Sequence, residues 1–198
     1  TRTYHFEGTY PGNNGILFTE ASISLNKDLE SMNIGVIGGG AAGFFAAIHA
    51  SGKGRKVILF EKSPKLLAKV KVSGGGRCNV THRPMEISKL VKNYPRGEKF
   101  LKKVFNKFKS EDTIHWFESR GVDLKVEQDG RMLPVSDDSQ TIIDCLLKEA
   151  NRLGVEIKKS CGVKSILPKV PGFKLDTDEG SFEMDKLIIA TGGFPKFE

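Results

Sequence analysis

Three consecutive glycines stand directly before a cation, a thiol and an amide in the stretch SGGGRCNVTH, which begins at Ser73. Glycine has no Cβ, so a ligand can lie directly on its backbone. Arg77 could place charge beside a ligand or form an ion pair, and Asn79 could bond a ligand or cap a turn. A redox-active thiol pair would need a second cysteine two to five residues from Cys78, and the sequence has none there. The glycines are therefore the predicted functional element, and Cys78 is a packing residue or one that merely lies near the ligand.

A second glycine cluster, GGGAAG at 38–43, lies between an apolar run and an alanine-rich run. Gly38, Gly40 and Gly43 match the pattern G-x-G-x-x-G, and Glu61 follows 18 residues after the last of them. In a dinucleotide-binding βαβ unit these glycines permit the tight turn, the approach of a pyrophosphate and close helix–strand packing. The helix N-terminus attracts phosphate, and the acid binds ribose hydroxyls. The pattern predicts a dinucleotide site; a glycine turn in a plain α/β domain or a methyltransferase loop is the alternative.

The elements that would position these residues follow from hydrophobic periodicity. A buried strand at 33–37, a helix at 41–52 and a second strand at 56–62 form a βαβ unit of about 30 residues. The stretch from 62 to 82 has neither a helical nor a strand period and is predicted as a loop. The later elements are predicted as helices at 86–92, 98–120 and 139–154 and as strands at 122–126, 131–135, 155–158, 162–168, 172–176, 181–183 and 185–190.

These elements predict an α/β fold, a Rossmann-like dinucleotide-binding domain with an appended helical segment and a small β meander. Residues 32–198 form this domain, and the helical excursion covers about 86–120. Residues 1–31 are polar, rich in turn residues and weakly periodic. They are predicted to be a leader of uncertain origin, with PGNNG as a turn and GILFTEASISL as a strand.

Composition narrows the setting of the protein. The three cysteines, Cys78, Cys145 and Cys161, form no C-x-x-C pair, which favours a reducing, cytoplasmic compartment over a disulfide framework. The histidines show no metal-ligand spacing, so no metal is predicted, and no apolar run is long enough for a membrane span. The net charge of +7 comes mostly from 89–109, where eight Lys or Arg face one acid. A solvated face of a packed helix is the preferred interpretation, with RNA, membrane or an anionic substrate as alternatives.

The chain after Glu61 distinguishes FAD from NAD. An NAD-only domain would continue directly into another βα unit, whereas here a long irregular segment with three glycines intervenes. Backbone amides in such a segment could face a pyrophosphate or an isoalloxazine ring. The ATGG that ends the last apolar strand, 190–193, also suits a backbone crossing near the cofactor. FAD is therefore the predicted cofactor.

Four strings add a more specific signal: IGGGAAGFFAAI, FEKSPKLLAKVKVSGGGRCNVTH, GRMLPVSD and IIATGG. Together they resemble the bacterial BaiN-like flavoprotein family, whose members are also labelled NAD(P)/FAD-dependent oxidoreductases or aminoacetone-oxidase-family FAD-binding enzymes. The resemblance runs from about Met32 to Gly193. It implies a glutathione-reductase-like FAD domain and oxidoreductase chemistry.

The resemblance also implies roles for particular residues. Gly38, Gly40 and Gly43, with Ala41 and Ala42 between them, would hold the pyrophosphate. Glu61 would bind the ribose, and Lys62 would lie near the adenosine. The pyrophosphate and flavin would lie along Gly75, Gly76, Arg77, Cys78 and Asn79. Adenine would contact Val163, and the nucleotide side would be closed by Ala190, Thr191 and Gly192.

The function implied is hydride transfer at flavin N5 to an unidentified small-molecule substrate, with NAD(P)H as a candidate electron donor. Family members are about twice as long, so the chain is expected to be a fragment that encodes the ADP half of the FAD site and is itself inactive in redox chemistry. The alternatives are an FAD-dependent RNA-modifying enzyme and a non-catalytic nucleotide-binding domain. The sequence names no catalytic acid or base, no substrate and no oligomeric state.

Overall fold

The computed structural model describes residues 2–6, 19–23 and 31–193. The first two segments are strands β1 (Arg2–Phe6) and β2 (Thr19–Ile23), which pair antiparallel. β2 lies inside the strand predicted from GILFTEASISL, whereas the predicted PGNNG turn falls outside the described residues. The proposed leader of residues 1–31 stays a prediction.

The predicted βαβ unit is present at the start of the main described segment. It is followed by a short helix and the remaining elements in chain order. The first part comprises β3 (Met32–Ile37), α1 (Ala41–Ala50), β4 (Arg55–Phe60), α2 (Ala68–Val72) and β5 (Thr81–His82). The second part comprises α3 (Ile87–Leu90), α4 (Glu98–Phe105), α5 (Ser110–Glu118), β6 (Leu124–Val126), β7 (Arg131–Pro134) and α6 (Ser139–Arg152). The last part comprises β8 (Glu156–Lys158), β9 (Val163–Pro168), β10 (Phe173–Thr177), β11 (Gly180–Met184) and β12 (Lys186–Ile189).

A parallel sheet in the order β12-β3-β4-β8 forms the centre of the fold. Strands β9, β10 and β11 form an antiparallel meander, and β5, β7 and β6 form a third small sheet. The predicted α/β class, the Rossmann-like sheet and the β meander are thus confirmed.

Alternate residues of β4 face two different cores, because side chains of a strand point to opposite faces of its sheet. Val57 and Leu59 pack with α1 and α6 in the main core, where Phe44 and Leu146 are also buried. Ile58 and Phe60 pack with Leu175 and Met184 in a second core under the meander. Both faces of the parallel sheet are therefore covered, as its continuous apolar strands require.

Two local predictions were wrong. The predicted helix at 98–120 is two helices, since α4 ends at Phe105 and α5 begins at Ser110. The carboxylate of Asp112 accepts the backbone N–H of Lys109 at 2.8 Å, which caps a new helix start. The predicted loop at 62–82 contains α2 and a 3-10 turn at Ser73–Gly76, in which Gly74 and Gly75 have φ of 56° and 68°. Glycines with positive φ interrupt regular helix geometry, so the sequence around them shows no helical period.

Among the described residues no helix combines the length and the apolar character that crossing a bilayer demands. The same residues contain no group of three His, Cys, Asp or Glu side chains arranged to hold a metal ion.

Candidate functional site

The glycine turn after β3 is packed so tightly that two of its positions exclude any side chain. Gly38 has φ of +112°, and a Cβ there would lie 2.5 Å from the carbonyl oxygen of Ala190. A Cβ on Gly43 would lie 1.8 Å from the carbonyl oxygen of Gly38. The helix α1 therefore begins against the backbone of β3 and beside the end of β12, the packing expected of a dinucleotide-binding turn.

At Gly40 the turn combines open space with helix N–H groups that are available to a ligand. A Cβ on Gly40 would meet no atom within 4 Å. Within residues 31–193, no hydrogen bond uses the backbone N–H of Ala41 or Ala42 in the first turn of α1. Unpaired helix N-terminal amides facing open space form an anion site, because the helix dipole adds a partial positive charge. The turn thus fits a pyrophosphate group.

Glu61 follows β4 and reaches across to this turn. One carboxylate oxygen accepts the N–H of Gly39 at 2.7 Å, and the other accepts the N–H of Ser63 at 2.8 Å. Partial burial tends to raise the pKa of Glu61, but these two amide hydrogen bonds, together with the Ser63 hydroxyl and the charge of Lys62, outweigh it, so the pKa lies below its ordinary value. The side chain is therefore a fixed anion with lone pairs left to accept hydroxyl donors.

A cleft of about 1080 Å³ runs from the glycine turn past Glu61. Most of the predicted cofactor residues line it, and they come from four separate parts of the chain. These are Gly38, Gly40, Ala41, Ala42, Glu61, Lys62, Cys78, Asn79, Ala190, Thr191 and Gly192.

The other predicted residues lie outside the lining of this cleft. Gly43 lies behind it, packed on Gly38. Gly75 and Gly76 follow in the 3-10 turn, and a Cβ on either would meet no atom within 4 Å. Val163 lies on β9 and packs against the second core.

The structure pairs Arg77 with acids of the third sheet region. Its guanidinium lies 3.2 Å from a carboxylate oxygen of Glu127 and 3.6 Å from one of Asp137. Asp137 also pairs with Lys125, and the hydrogen bond from Lys125, together with Arg77, holds the pKa of Asp137 below its ordinary value. The ion-pair alternative for Arg77 is therefore the arrangement present, and a contact between Arg77 and flavin stays a prediction.

Cys78 is buried and has φ of +62°, which is uncommon for a residue with a side chain. Burial raises the pKa of its thiol, and the opposing effect of the Ser73 hydroxyl is smaller. Such a thiol is protonated at neutral pH and is a weak nucleophile. This agrees with its interpretation as a packing residue at the cleft wall.

Several cleft residues were not predicted from the sequence. Lys65 and Lys69 bring further positive charge, and the ammonium of Lys69 donates to the carbonyl of Gly193 at 3.3 Å. Their lysine-rich stretch, KSPKLLAKVK, has no helical or strand period, so the sequence predicts only a loop there. An apolar wall also lines the cleft and comprises Phe45, Val80, Phe108, Phe117, Ile142 and Leu146. Only the meeting of α1, α5 and α6 creates this wall.

Comparison with known proteins agrees with this architecture. Residues 32–196 match the model of the HI0933-like protein Rossmann domain. A ribosomal RNA dihydrouridine synthase from Escherichia coli (strain K12) is 32% identical over 165 residues, which are 83% of this chain and 40% of that protein. A 3-dehydro-bile acid delta(4,6)-reductase from Clostridium scindens is 32% identical over 162 residues, 81% of this chain and 39% of that protein. The chain thus spans about 40% of the length of these relatives.

The crystal structure of Thermovibrio ammonificans THI4 superposes with a TM-score of 0.52 at 13% identity, over 81% of this chain and 57% of that one. That likeness concerns the fold alone. The family match covers most of the chain, including the glycine turn, Glu61 and the cleft between them. The chain therefore belongs to the HI0933-like Rossmann-domain family, and its central parallel sheet has the α/β architecture of a Rossmann domain.

Proposed function

We propose that this chain holds the ADP half of FAD along the cleft, as part of an enzyme that reduces an electron-poor carbon–carbon double bond. The observation that carries the first half is the open space at Gly40, with the amides of Ala41 and Ala42 on one side and the Glu61 carboxylate nearby. A Rossmann-type βαβ unit uses the same combination for pyrophosphate and ribose. The match of residues 32–196 supports a domain that begins at Met32, apart from residues 1–31.

Each end of the cleft has a role in this proposal. Gly38, Gly40 and Gly43 allow the pyrophosphate to approach, and Glu61 accepts the ribose hydroxyls. Lys62, Lys65 and Lys69 are the cations along the cleft, and they offset the two phosphate charges. Val163, near the adenine end, and Gly75, Gly76, Arg77, Cys78 and Asn79, toward the flavin, complete the proposed path, with Ala190, Thr191 and Gly192 closing the nucleotide side.

The reaction class comes from the two relatives that are 32% identical to this chain over the aligned residues. The first relative is named for the synthesis of dihydrouridine, and the second for the delta(4,6)-reduction of a bile acid. In each of these reactions a carbon–carbon double bond becomes saturated. The bile acid reductase also supports the BaiN-like assignment. Bound flavin supplies two-electron hydride transfer at N5. The net reaction takes a hydride from NAD(P)H and a proton from solvent, saturates the double bond and leaves NAD(P)⁺.

The residues of this chain contribute positioning and exclusion of water. Phe45, Phe108 and Phe117 in the apolar wall offer a surface for a flat ring. The aromatic contact between Phe45 and Phe108, with ring centroids 5.4 Å apart, fixes the relative position of α1 and the segment before α5. This wall suits a conjugated substrate better than a charged, flexible one.

The test uses the full chain and measures binding before chemistry. FAD is titrated into flavin-free protein, and quenching of flavin fluorescence reports binding. We expect saturable binding of FAD by this chain. In an enzyme that includes the rest of the flavin site, NADH or NADPH added without oxygen should bleach the visible flavin absorbance, and cyclohexenone should restore it. Cyclohexanone, which lacks the double bond, is the matched control and should give no recovery. Absence of quenching would reject the FAD site, and equal recovery with both ketones would reject the double-bond assignment.

A further inference from the structure

The whole net charge of the protein is concentrated in one segment. Residues 89–109 hold eight of the 31 Lys and Arg and one of the 24 Asp and Glu, which leaves 23 residues of each sign in the rest of the chain. The remainder is therefore neutral, and the net charge of +7 belongs to these 21 residues. A charge asymmetry of this kind is the electrostatic footprint of a polyanion-binding surface.

Seven of these cations have no acidic partner among residues 31–193, whereas the eighth, Lys109, pairs with Glu111 at 3.0 Å. All seven are exposed. We call them the basic surface, and it comprises Lys89, Lys92, Arg96, Lys99, Lys102, Lys103 and Lys107. By contrast, acids pair with many lysines elsewhere, as in Lys56–Glu156 and Lys164–Asp178. Leaving seven neighbouring cations uncompensated costs folding free energy through mutual repulsion, which a bound polyanion would relieve.

Exposed aromatic side chains lie within the same segment. The side chain of Phe100 on α4 is 71% exposed, and that of Tyr94 is 41% exposed. The ring of Tyr94 lies 5.6 Å from that of Phe105, which holds it at the surface beside α4. Cations interleaved with exposed aromatic rings are the combination by which proteins bind single strands, because phosphates meet the cations while bases stack on the rings.

We propose that the basic surface binds a single-stranded nucleic acid. A bilayer surface is the competing polyanion, but an interfacial helix binds by burying a free apolar face in lipid. Here α4 has only eight residues, and Leu101 and Phe105 on its apolar side are already half-buried against the protein. The exposed rings of Tyr94 and Phe100 suit unstacked bases better than they suit acyl chains.

The basic surface leads directly to the cleft. Lys107 is its last cation, and the next residue, Phe108, belongs to the apolar wall and contacts Phe45. A strand bound along 89–107 would therefore bring one base within reach of the proposed flavin site. This continuity extends the proposed function, yet binding at the basic surface does not itself require FAD.

The experiment compares two triple variants that lose the same charge. One carries Lys99→Gln, Lys102→Gln and Lys103→Gln on the basic surface. The matched control carries Lys53→Gln, Lys159→Gln and Lys186→Gln, three exposed lysines outside it. Binding of a labelled single-stranded RNA 20-mer to the full chain is followed by fluorescence anisotropy over a range of salt. A DNA strand of the same sequence, its duplex, and phosphatidylcholine vesicles containing phosphatidylglycerol are the further arms.

We expect the surface triple to weaken RNA binding at least about tenfold and to lower the slope of log K against log salt by about 2, since each single-strand phosphate contact contributes about 0.7. The control triple should bind like the native protein. Phe100→Ala should weaken binding about tenfold with an unchanged salt slope, because it removes stacking and no charge. The DNA strand shows whether the sugar is discriminated.

The proposal would be overturned if the two triple variants bind RNA equally well. It would also be overturned if the native protein binds RNA weakly but binds vesicles, and the surface triple loses that vesicle binding. Flavin titration of the same proteins separates this result from the cofactor proposal. Native protein that binds FAD but not the RNA strand rejects the basic surface alone. A surface triple that still binds FAD like the native protein, while losing RNA, shows that the loss is not caused by unfolding.

Discussion

The carboxylate of Glu61 accepts the backbone N–H of Gly39 at 2.7 Å, so the ends of two adjacent parallel strands are joined through the glycine turn. The contact spans 22 residues of sequence and holds the acid beside the position where Gly40 leaves open space. One hydrogen bond thereby fixes the distance between the proposed pyrophosphate and ribose positions.

Substituting Glu61→Gln should weaken both this junction and FAD binding. In the native protein the two carboxylate oxygens of Glu61 accept the backbone N–H groups of Gly39 and Ser63. Glutamine replaces one of these acceptor oxygens by an N–H₂ donor, which would face one of the two N–H groups. We expect a loss of about 1–2 kcal/mol in the free energy of unfolding and about a tenfold or greater loss of FAD affinity. Urea denaturation and flavin-fluorescence titration measure the two effects. Glu118→Gln, at an exposed position, is the control, and an unchanged FAD affinity in Glu61→Gln would contradict the ribose role.

Two glycine variants separate a packing role from a binding role. Gly43→Ala places a methyl group 1.8 Å from the carbonyl oxygen of Gly38 if nothing moves, so we expect a stability loss of about 2 kcal/mol or more. Gly40→Ala meets no protein atom and should keep the native melting temperature. Its methyl group would occupy the proposed pyrophosphate space, so FAD affinity should fall about tenfold or more. If Gly40→Ala binds FAD like the native chain, the pyrophosphate does not lie there.

Glu149 should give the protein a marked acid sensitivity. It is buried between Arg120 and Arg152, at 2.9 and 2.8 Å, and these hydrogen bonds outweigh its burial and lower its pKa from 4.5 to about 2. A lowered pKa in the folded state means that the stabilisation is fully present above pH 4.5 and is lost as the pH falls toward 2. Glu149→Gln should cost about 2 kcal/mol at pH 7.

The check is the difference in unfolding free energy between native protein and Glu149→Gln, measured by urea denaturation at several pH values. This difference should shrink steadily below pH 4.5. The exposed Glu118→Gln variant should show a small, flat difference over the same range. If this difference stays constant over the pH range for Glu149→Gln, the ion pairs of Glu149 do not stabilise the folded protein through its lowered pKa.

The thiols should be inert in the folded protein. Cys78, Cys145 and Cys161 are all buried, and burial raises the pKa of the first two. Reaction with a thiol reagent such as DTNB at pH 8 should be slow in native protein and should reach all three thiols after unfolding. Cys78→Ala should leave FAD binding by this chain intact, and it should leave reduction of bound flavin by NAD(P)H intact in the whole enzyme of which the chain is part. Loss of that reduction with normal FAD binding would assign Cys78 a chemical role.

The candidate site is only partly legible in the sequence. The βαβ unit, the glycine pattern and Glu61 could be recognised because strand, turn and helix form from neighbouring residues with characteristic periods. The sequence does not predict α2 or its lysines, because a five-residue helix between the left-handed residues Leu67 and Gly74 has too few turns to show a period. For the same reason the break between α4 and α5 was not foreseen, since it depends on one capping contact from Asp112.

The sequence by itself determined the fold class, the order of the main elements and the position of the dinucleotide motif, since these depend on local spacing and on burial of alternating or helical apolar faces. Only the tertiary structure decided what distant residues meet. It pairs Arg77 with Glu127 and brings Phe45 against Phe108. Such contacts depend on how helices and sheets pack, and the free energy of that packing is shared among many residues that are far apart in the chain.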